Sequence, residues 1–365
     1  MEDMSRGIPS SPPPVVLPSP GAAGCLCHPL GTPLRVLRDG GQLAVHDPQR
    51  DAAGRWQLSR QGGETSLQWI GPCAGEPTPA QQLAVIEAAF TMDPGIRALV
   101  LLPPWAPLPD LALPLPRGRL QVQREMFFQH APMWLPQVVP PMPLRYTLSG
   151  DRRHPQRPAK REGVLYRRHI PWLGRTFSFR SLDIEADLPR FHRWMNDPDV
   201  AQVWQEDGDL DKHRRYLETL AGDPHLQTMV ACLDGEPFGY FEAYWAKENR
   251  IAPFYDADDY DRGWHVLIGE PGCRGKAFAT AWLTSISHYL FLSDPRTRRV
   301  VGEPRADHRQ QLRNLDRSGY AKVKEFDFPH KRAMLVMLLR ERYFTDTLWW
   351  PRDDEAPAPS SSARS

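Results

Sequence analysis

The segment that most restricts the possible folds is a strand, a long helix and a second strand in direct succession. WHVLIG (264–269) alternates with strand period, RGKAFATAWLTSISHYLFL (274–292) places Phe278, Trp282, Ser285 and Tyr289 on one face at helical spacing, and RRVVGEP (298–304) is again β-rich. Strands joined by such a helix pair in parallel through a right-handed crossover. The helix reads as amphipathic, with one face on a sheet. Around this unit, RTFSFRSL (175–182) reads as a strand, and TMVACLDGEPFGYFEAYWA (228–246) as a hairpin turning at Asp234-Gly235-Glu236-Pro237. DLPRFHRWMNDPDVAQVW (187–204) reads as helices broken at Asp197-Pro198, followed by a helical face in HRRYLETL (213–220). DHRQQLRNLDRSGY (307–320) is a helix stopped at Gly319, and AKVKEFDF and RAMLVMLLRERYF close the fold as two strands. The class is mixed α/β (α+β), with a parallel pair at the centre of a mixed sheet.

The other half is built differently, since 26 of the 39 prolines precede residue 161. Short apolar runs between Pro and Gly, with one helix in PTPAQQLAVIEAAF (78–90), suggest a smaller Pro-rich α+β accessory domain, packed over the cleft or forming a subunit contact. SGDRRHPQRPAKREG (149–163) reads as a solvated linker. The expected division is a disordered tail (1–20), accessory domain (21–150), linker (151–165), second domain (166–348) and disordered tail (351–365), with no internal repeat.

Charge and cysteines narrow the function. With 45 basic and 44 acidic side chains the chain is no general nucleic-acid or membrane-surface binder. Its longest aliphatic run, ALVLL (98–102), is far too short for a membrane span, and prolines interrupt the N-terminus before a signal peptide can form, so the expected location is cytoplasmic. Five cysteines (Cys25, Cys27, Cys73, Cys232, Cys273) include no C-x-x-C pair, and His192, His213, His225, His288 and His330 share no spacing, so no metal and no disulfide framework are expected.

Chemistry concentrates at the strand-to-helix junction EPGCRGKAFA. Open N–H groups at a helix start, with Arg274, Gly275 and Lys276 beside them, suit a phosphate or pyrophosphate; taken alone, the same turn also reads as an ordinary loop. The order of elements and the R-G-K-A-x-A turn (274–279) resemble the Gcn5-related acyltransferase superfamily, which binds acyl-coenzyme A at that turn. FHRWMNDPDVAQVWQEDG (191–208), GEPFGYFEAYWAKENRIAPFYDADDYDRGWHVLIGE (235–270), AWLTSISHYLFLSDPRTRRVVGEPRAD (281–307) and GYAKVKEFDFPHKRAML (319–335) resemble, more closely, the acyltransferases of aerobactin and mycobactin biosynthesis.

That resemblance implies the GNAT acyl-CoA N-acyltransferase fold. It also implies an acetyl-CoA or other acyl-CoA co-substrate, and an N-hydroxylated terminal amine (N6-hydroxylysine, N5-hydroxyornithine or a hydroxydiamine) converted to a siderophore hydroxamate. Other enzymes of that pathway are the implied partners. Ala277 and Ala279 stand at the two glycine positions of the turn, the Ala277 methyl narrowing the approach to pyrophosphate, and His308 replaces a common Asn. Alternation puts His265 and Leu267 on the face opposite Trp264. If the strands are neighbours, as the superfamily arrangement implies, His265 approaches Asp307, the pair the family pattern places at catalysis. An imidazole near its ordinary pKa suits removal of the attacking nitrogen's proton. Backbone N–H groups near Leu267 and Ile268, where the strand splays, are the implied partners of the thioester oxygen. For the amine, carboxylates interleaved with aromatics over 242–263 suit a long stem ending in an ammonium: Tyr244, Trp245, Lys247, Asp256, Asp258 and Tyr260, with Trp204 and Glu206, after the second short helix, as weaker candidates. Two alternatives remain at this level: an acetyltransferase of an ordinary amine or protein N-terminus, and a catalytically silent acyl-CoA-binding or scaffold domain.

Overall fold

The computed structural model describes residues 24–47, 52–71, 77–105, 108 and 110–349; the expected tails and Cys73 lie outside them. Val164–Ile170, Arg175–Ser181, Leu226–Leu233, Glu236–Trp245, Arg262–Ile268, Arg299–Gly302, Ala321–Phe328 and Lys331–Leu339 form one eight-stranded sheet. In chain order of its own strands the sheet runs 1-2-3-4-5-6-8-7, and only the fifth and sixth are parallel, joined by the helix Lys276–Ser293. This is the expected crossover. The hairpin turns at Asp234 (φ 51°) and Gly235 (φ 88°). Helices Ile184–Met195 and Pro198–Trp204 meet at the expected break, where the Asp197 carboxylate caps the second. The closing run differs from expectation at its end: after Leu339 the chain turns into the helix Arg340–Thr345.

The first half holds a second eight-stranded sheet: Gly24–Cys27, Leu34–Asp39, Gln42–Asp47, Ala52–Gln61, Glu64–Gly71, Ala98–Leu102, Ala112–Leu115 and Arg119–Gln123. Its order is again 1-2-3-4-5-6-8-7, with the one parallel pair between fifth and sixth, across the helix Pro79–Met92. The repeat that the sequence lacks is present in topology. The two helix starts differ: Thr78 and Gln81 form a capping box on the first, whereas no side chain caps the second at Gly275.

Two expectations about the halves are corrected. The long helix is not amphipathic, because every residue from Ala281 to Leu292 is buried: the second sheet covers one side, and Tyr320, Tyr343 and Phe344 together with Phe128 and Trp134 of the first half cover the other. His288 on that helix accepts or donates at Tyr166 Oη (2.9 Å) and binds the Phe128 carbonyl (2.7 Å), while Phe128 stacks between Trp134 and Trp349. One apolar core runs from Cys25 to Trp349, so the first half seals the back of the sheet and no residue before Val203 lines the main cavity. The stretch 151–165 is not a solvated linker. Arg152–Pro155 pairs with Tyr146–Ser149, Val164 already begins the second sheet, and the Arg157 guanidinium, 2% exposed, grips both oxygens of Glu248 at 2.6 Å. Arg157 holds the segment against the buried Glu248 carboxylate, and Arg152 binds the Glu248 and Asn249 carbonyls.

Candidate active site

His265 lies on Arg262–Ile268 directly opposite Glu242 of the antiparallel neighbour. Alternation works as expected: Trp264, Val266 and Ile268 pack on the main core, Leu267 on the cluster under the helices from Ile184 to Gly222. On the other edge the parallel pairing with Arg299–Gly302 covers only Arg262 and Gly263, after which the strands part. Glu303 follows the end of that partner strand, at the mouth of the gap. His265 Nδ1 meets Glu242 Oε2 at 2.7 Å and Nε2 meets Glu303 Oε1 at 3.0 Å.

Both carboxylates are buried and well supplied with donors. Tyr216 and Tyr240 hydroxyls donate to Glu242 (2.6 and 2.9 Å), and the Tyr244 hydroxyl and Arg250 to Glu303 (2.9 and 3.2 Å). Burial would raise each carboxyl, but His265 and these neighbours hold both below the ordinary range, Glu303 far below. Burial also opposes charge on His265; the attraction of Glu303 and the hydrogen bonds to the two carboxylates outweigh it and raise the ring to about 9. At neutral pH the ring is therefore an imidazolium donating from both nitrogens, not the near-neutral base expected from sequence.

Stability depends on pH accordingly. His265 stabilises the fold fully below its ordinary value of 6.5 and loses that contribution as pH rises through about 9, whereas the lowered carboxyls lose theirs as pH falls below about 4.5. Unfolding free energy is expected to decline from pH 7 to 10, and the part of that decline due to this ring should be absent from His265→Gln. Denaturant titrations of both proteins across that range check it; parallel declines would reject the assignment.

These groups line one cavity of about 730 Å³. Its lining includes Glu242, His265 and Glu303, with Trp204 and Glu206, and the basic side chains of Arg250, Arg305, His308, His330 and Lys331, of which Arg250 and Lys331 bond Glu303 itself. Asp307 is not brought to His265: its exposed carboxylate forks onto Arg305 (3.0 and 2.8 Å), and Glu303 occupies the place expected for it. The chain bends away after Gly302, so the earlier acid reaches the ring. His308 accepts from the Gln311 N–H and caps the helix Arg309–Arg317.

The expected amine loop is spent on structure. Tyr244 lies beneath His265 (ring centroids 4.9 Å apart) and outside the cavity lining. Trp245 is sandwiched by Arg157 and Arg262, Lys247 binds the Ala257 carbonyl, the Asp256 carbonyl binds Arg299, Asp258 caps the Asp259 N–H, and Tyr260 meets Arg296. Trp245, Lys247, Asp256, Asp258 and Tyr260 therefore do not line the site, because the loop folds back on 152–157 and on the arginines after the long helix. Glu303, Tyr216 and the basic lining were not foreseen from sequence; an acid just beyond the short apolar strand RVVG was the signal for the first.

The cofactor turn is partly as expected. Carbonyls of Val266 and Ile268 face the open edge, accepting from Trp204 Nε1 (3.1 Å) and Arg274 Nε (3.3 Å), so by alternation the N–H groups of those two residues face it too. Leu267 turns to the neighbouring strand, where its carbonyl lies against Gly239, and drops out of the expected pair. Arg274 is tied to Asp199 (2.8 Å) and Asp197 (3.4 Å), fixing the turn against the helix Pro198–Trp204. Gly275, at φ 105° and with open space where a side chain would begin, opens the uncapped helix start, and Ala277 and Ala279 continue it as ordinary helix. The first N–H groups of that helix suit an acyl-CoA pyrophosphate. Gly275→Val, strained at positive φ and bulky at the helix mouth, is expected to raise KM for acyl-CoA about tenfold with KM for the amine unchanged, as steady-state kinetics would read.

The family described as acetyltransferase (GNAT) domain matches residues 183–328. A putative lysine N-acyltransferase of Schizosaccharomyces pombe is 41% identical over 273 residues, 72% of this chain and 81% of its own. An Escherichia coli N(6)-hydroxylysine O-acetyltransferase is 38% identical over 267 residues, 72% of this chain and 84% of its own. An N(5)-hydroxyornithine:cis-anhydromevalonyl coenzyme A-N(5)-transacylase of Beauveria bassiana is 36% identical over 354 residues, covering 79% of this chain and 77% of its own. Among the described residues no helix is long and apolar enough to cross a membrane.

Proposed function

The chain belongs to the GNAT acyltransferases, and from that premise we propose that it transfers the acyl group of an acyl-CoA to the N-hydroxylated side-chain nitrogen of an amino acid, giving a siderophore hydroxamate. The similarity to relatives named for hydroxylysine and hydroxyornithine supports the substrate class. The observation that carries the reading is the charge set lining one cavity: an imidazolium between two carboxylates, with Arg250 and Lys331 bonded to Glu303 beside it and Arg305 held by Asp307. Lys331, bound at the Glu303 carbonyl, suits an amino-acid carboxylate, while the hydroxylamino end reaches His265.

The reaction then asks little of a base. A hydroxylamine nitrogen is largely unprotonated at neutral pH, so it attacks the thioester carbonyl directly. The N–C bond forms, the oxyanion is held by the N–H groups of Val266 and Ile268, and the nitrogen, made acidic by bond formation, loses its proton to solvent. The C–S bond breaks and coenzyme A leaves as a thiolate that takes up a proton. Acylation of an ordinary amine would need a neutral base to deprotonate an ammonium, which an imidazolium near 9 does not supply at neutral pH. Since acyl-CoA is a cytoplasmic metabolite, we place the reaction there.

Release of coenzyme A, with iron(III) colour as readout, tests the proposal on N6-hydroxylysine, N5-hydroxyornithine, N-hydroxycadaverine and their unhydroxylated parents. Turnover of the hydroxyamino acids with colour supports N-acylation. Turnover without colour means transfer to oxygen, and turnover of plain amines overturns the substrate class.

A further inference from the structure

The first half contains a cluster that acyl transfer does not use. Cys25 and Cys27 are two residues apart on one strand, so both face the same side, with Sγ atoms 3.6 Å apart. Glu87, on the helix Pro79–Met92, points at them, and one ligand atom from each of the three lies within 4.8 Å of the others. All three are buried, at 1%, 0% and 3% exposure, and Glu87 Oε2 makes no hydrogen bond of ordinary geometry among the described residues, although Cys27 and the Trp134 ring act on the carboxyl. A sealed carboxylate oxygen left in this way beside two thiols is costly.

The geometry suits one cation. Two thiolates on a tetrahedral zinc, at about 2.3 Å each, lie about 3.8 Å apart, close to the separation present. A disulfide requires the sulfurs at about 2.05 Å, with the chain drawn together across a strand where alternate residues stand far apart. The charges also close: a divalent ion with two thiolates and one carboxylate leaves one negative charge, and the buried Arg168 acts electrostatically on both Cys25 and Glu87. Arg168 comes from the second sheet and bonds Thr284 Oγ1 and the Trp349 carbonyl, so the cluster adjoins the seam between the halves.

We propose that Cys25, Cys27 and Glu87 bind one zinc-class ion as a structural site. The two thiols and the carboxyl lose their protons to solvent, the sulfurs take two positions and the carboxylate oxygens complete the set. Soft sulfur ligands select zinc over magnesium or calcium. Burial on all sides means the ion enters during folding. A C-x-C pair whose third ligand stands 60 residues later gives no recognisable spacing, which is why the sequence pointed to no metal.

The test is metal analysis of the full chain from zinc-supplemented growth, with refolding from denaturant in Co(II), Zn(II) or chelator. Expected are one equivalent of zinc per chain and, on refolding with Co(II), an intense thiolate-to-cobalt band, both lost in Cys25→Ser/Cys27→Ser. Glu87→Gln should keep the thiolate band and alter the cobalt ligand-field spectrum. A wild-type chain that regains native circular dichroism with no such band, and carries no more metal than the serine variant, overturns the site. Activity is not the readout, so the outcome is independent of the acyl-transfer proposal.

Discussion

His265→Ala is expected to lower kcat by about 10²-fold while KM for acyl-CoA changes little, because the ring ties together Glu242 and Glu303 beneath the amine, away from the helix start, and a misplacement of about 1 Å at the reacting end costs about that much. The variant also has a characteristic stability. Removing the imidazolium leaves Glu242 and Glu303 buried and facing each other without their shared donor. One of them must then take up a proton, so the variant should gain stability relative to wild type as pH falls from 6.5, where the wild-type His265 contribution is complete, to about 5, without regaining activity. Denaturant unfolding and single-turnover rates at both values measure the two effects. A loss below about tenfold in kcat would remove His265 from the chemistry, and a stability gap independent of pH would mean that the carboxylates are not coupled through it.

Arg157→Ala should cause the largest loss of stability, about 3–5 kcal/mol, since breaking a buried ion pair strands the remaining charge. Arg157 and Glu248 are 2% and 3% exposed, and the guanidinium also donates to the Asp259 carbonyl and lies over the Trp245 ring. Changing Glu248 to leucine in the same chain removes the stranded carboxylate and should restore part of the loss. Urea midpoints of the single and double variants check this. An Arg157→Ala chain within about 1 kcal/mol of wild type, the range of an exposed pair, would mean that this segment is solvated after all.

Much of the second half was legible because its signals are local. The crossover, the Asp234-Gly235 turn, the break at Pro198 and the alternation that faces His265 away from Trp264 all depend on residues a few positions apart. The partners of His265 were not legible in this way. Glu242 reaches the ring through cross-strand register, and Glu303 through the point at which two parallel strands separate; neither is fixed by spacing along the chain. Asp307, four residues further on, looked equivalent in sequence, but the turn after Gly302 gives it to Arg305. The aromatic and acidic loop misled for a related reason: ion pairs and ring contacts with distant arginines consumed the groups that composition offered to a substrate.

By itself, the sequence determined the order of elements in the acyltransferase half, the helix start open to a phosphate and the histidine at the strand, since backbone preference and side-chain periodicity act over one or two turns. Tertiary structure alone decided that the proline-rich half repeats the same eight-strand topology, that its Phe128 and Trp134 join the closing helix in burying the outer face of the long helix, and that His265 is charged. Each of these depends on what packs against a residue from far along the chain, and burial and electrostatic coupling are properties of that assembled neighbourhood.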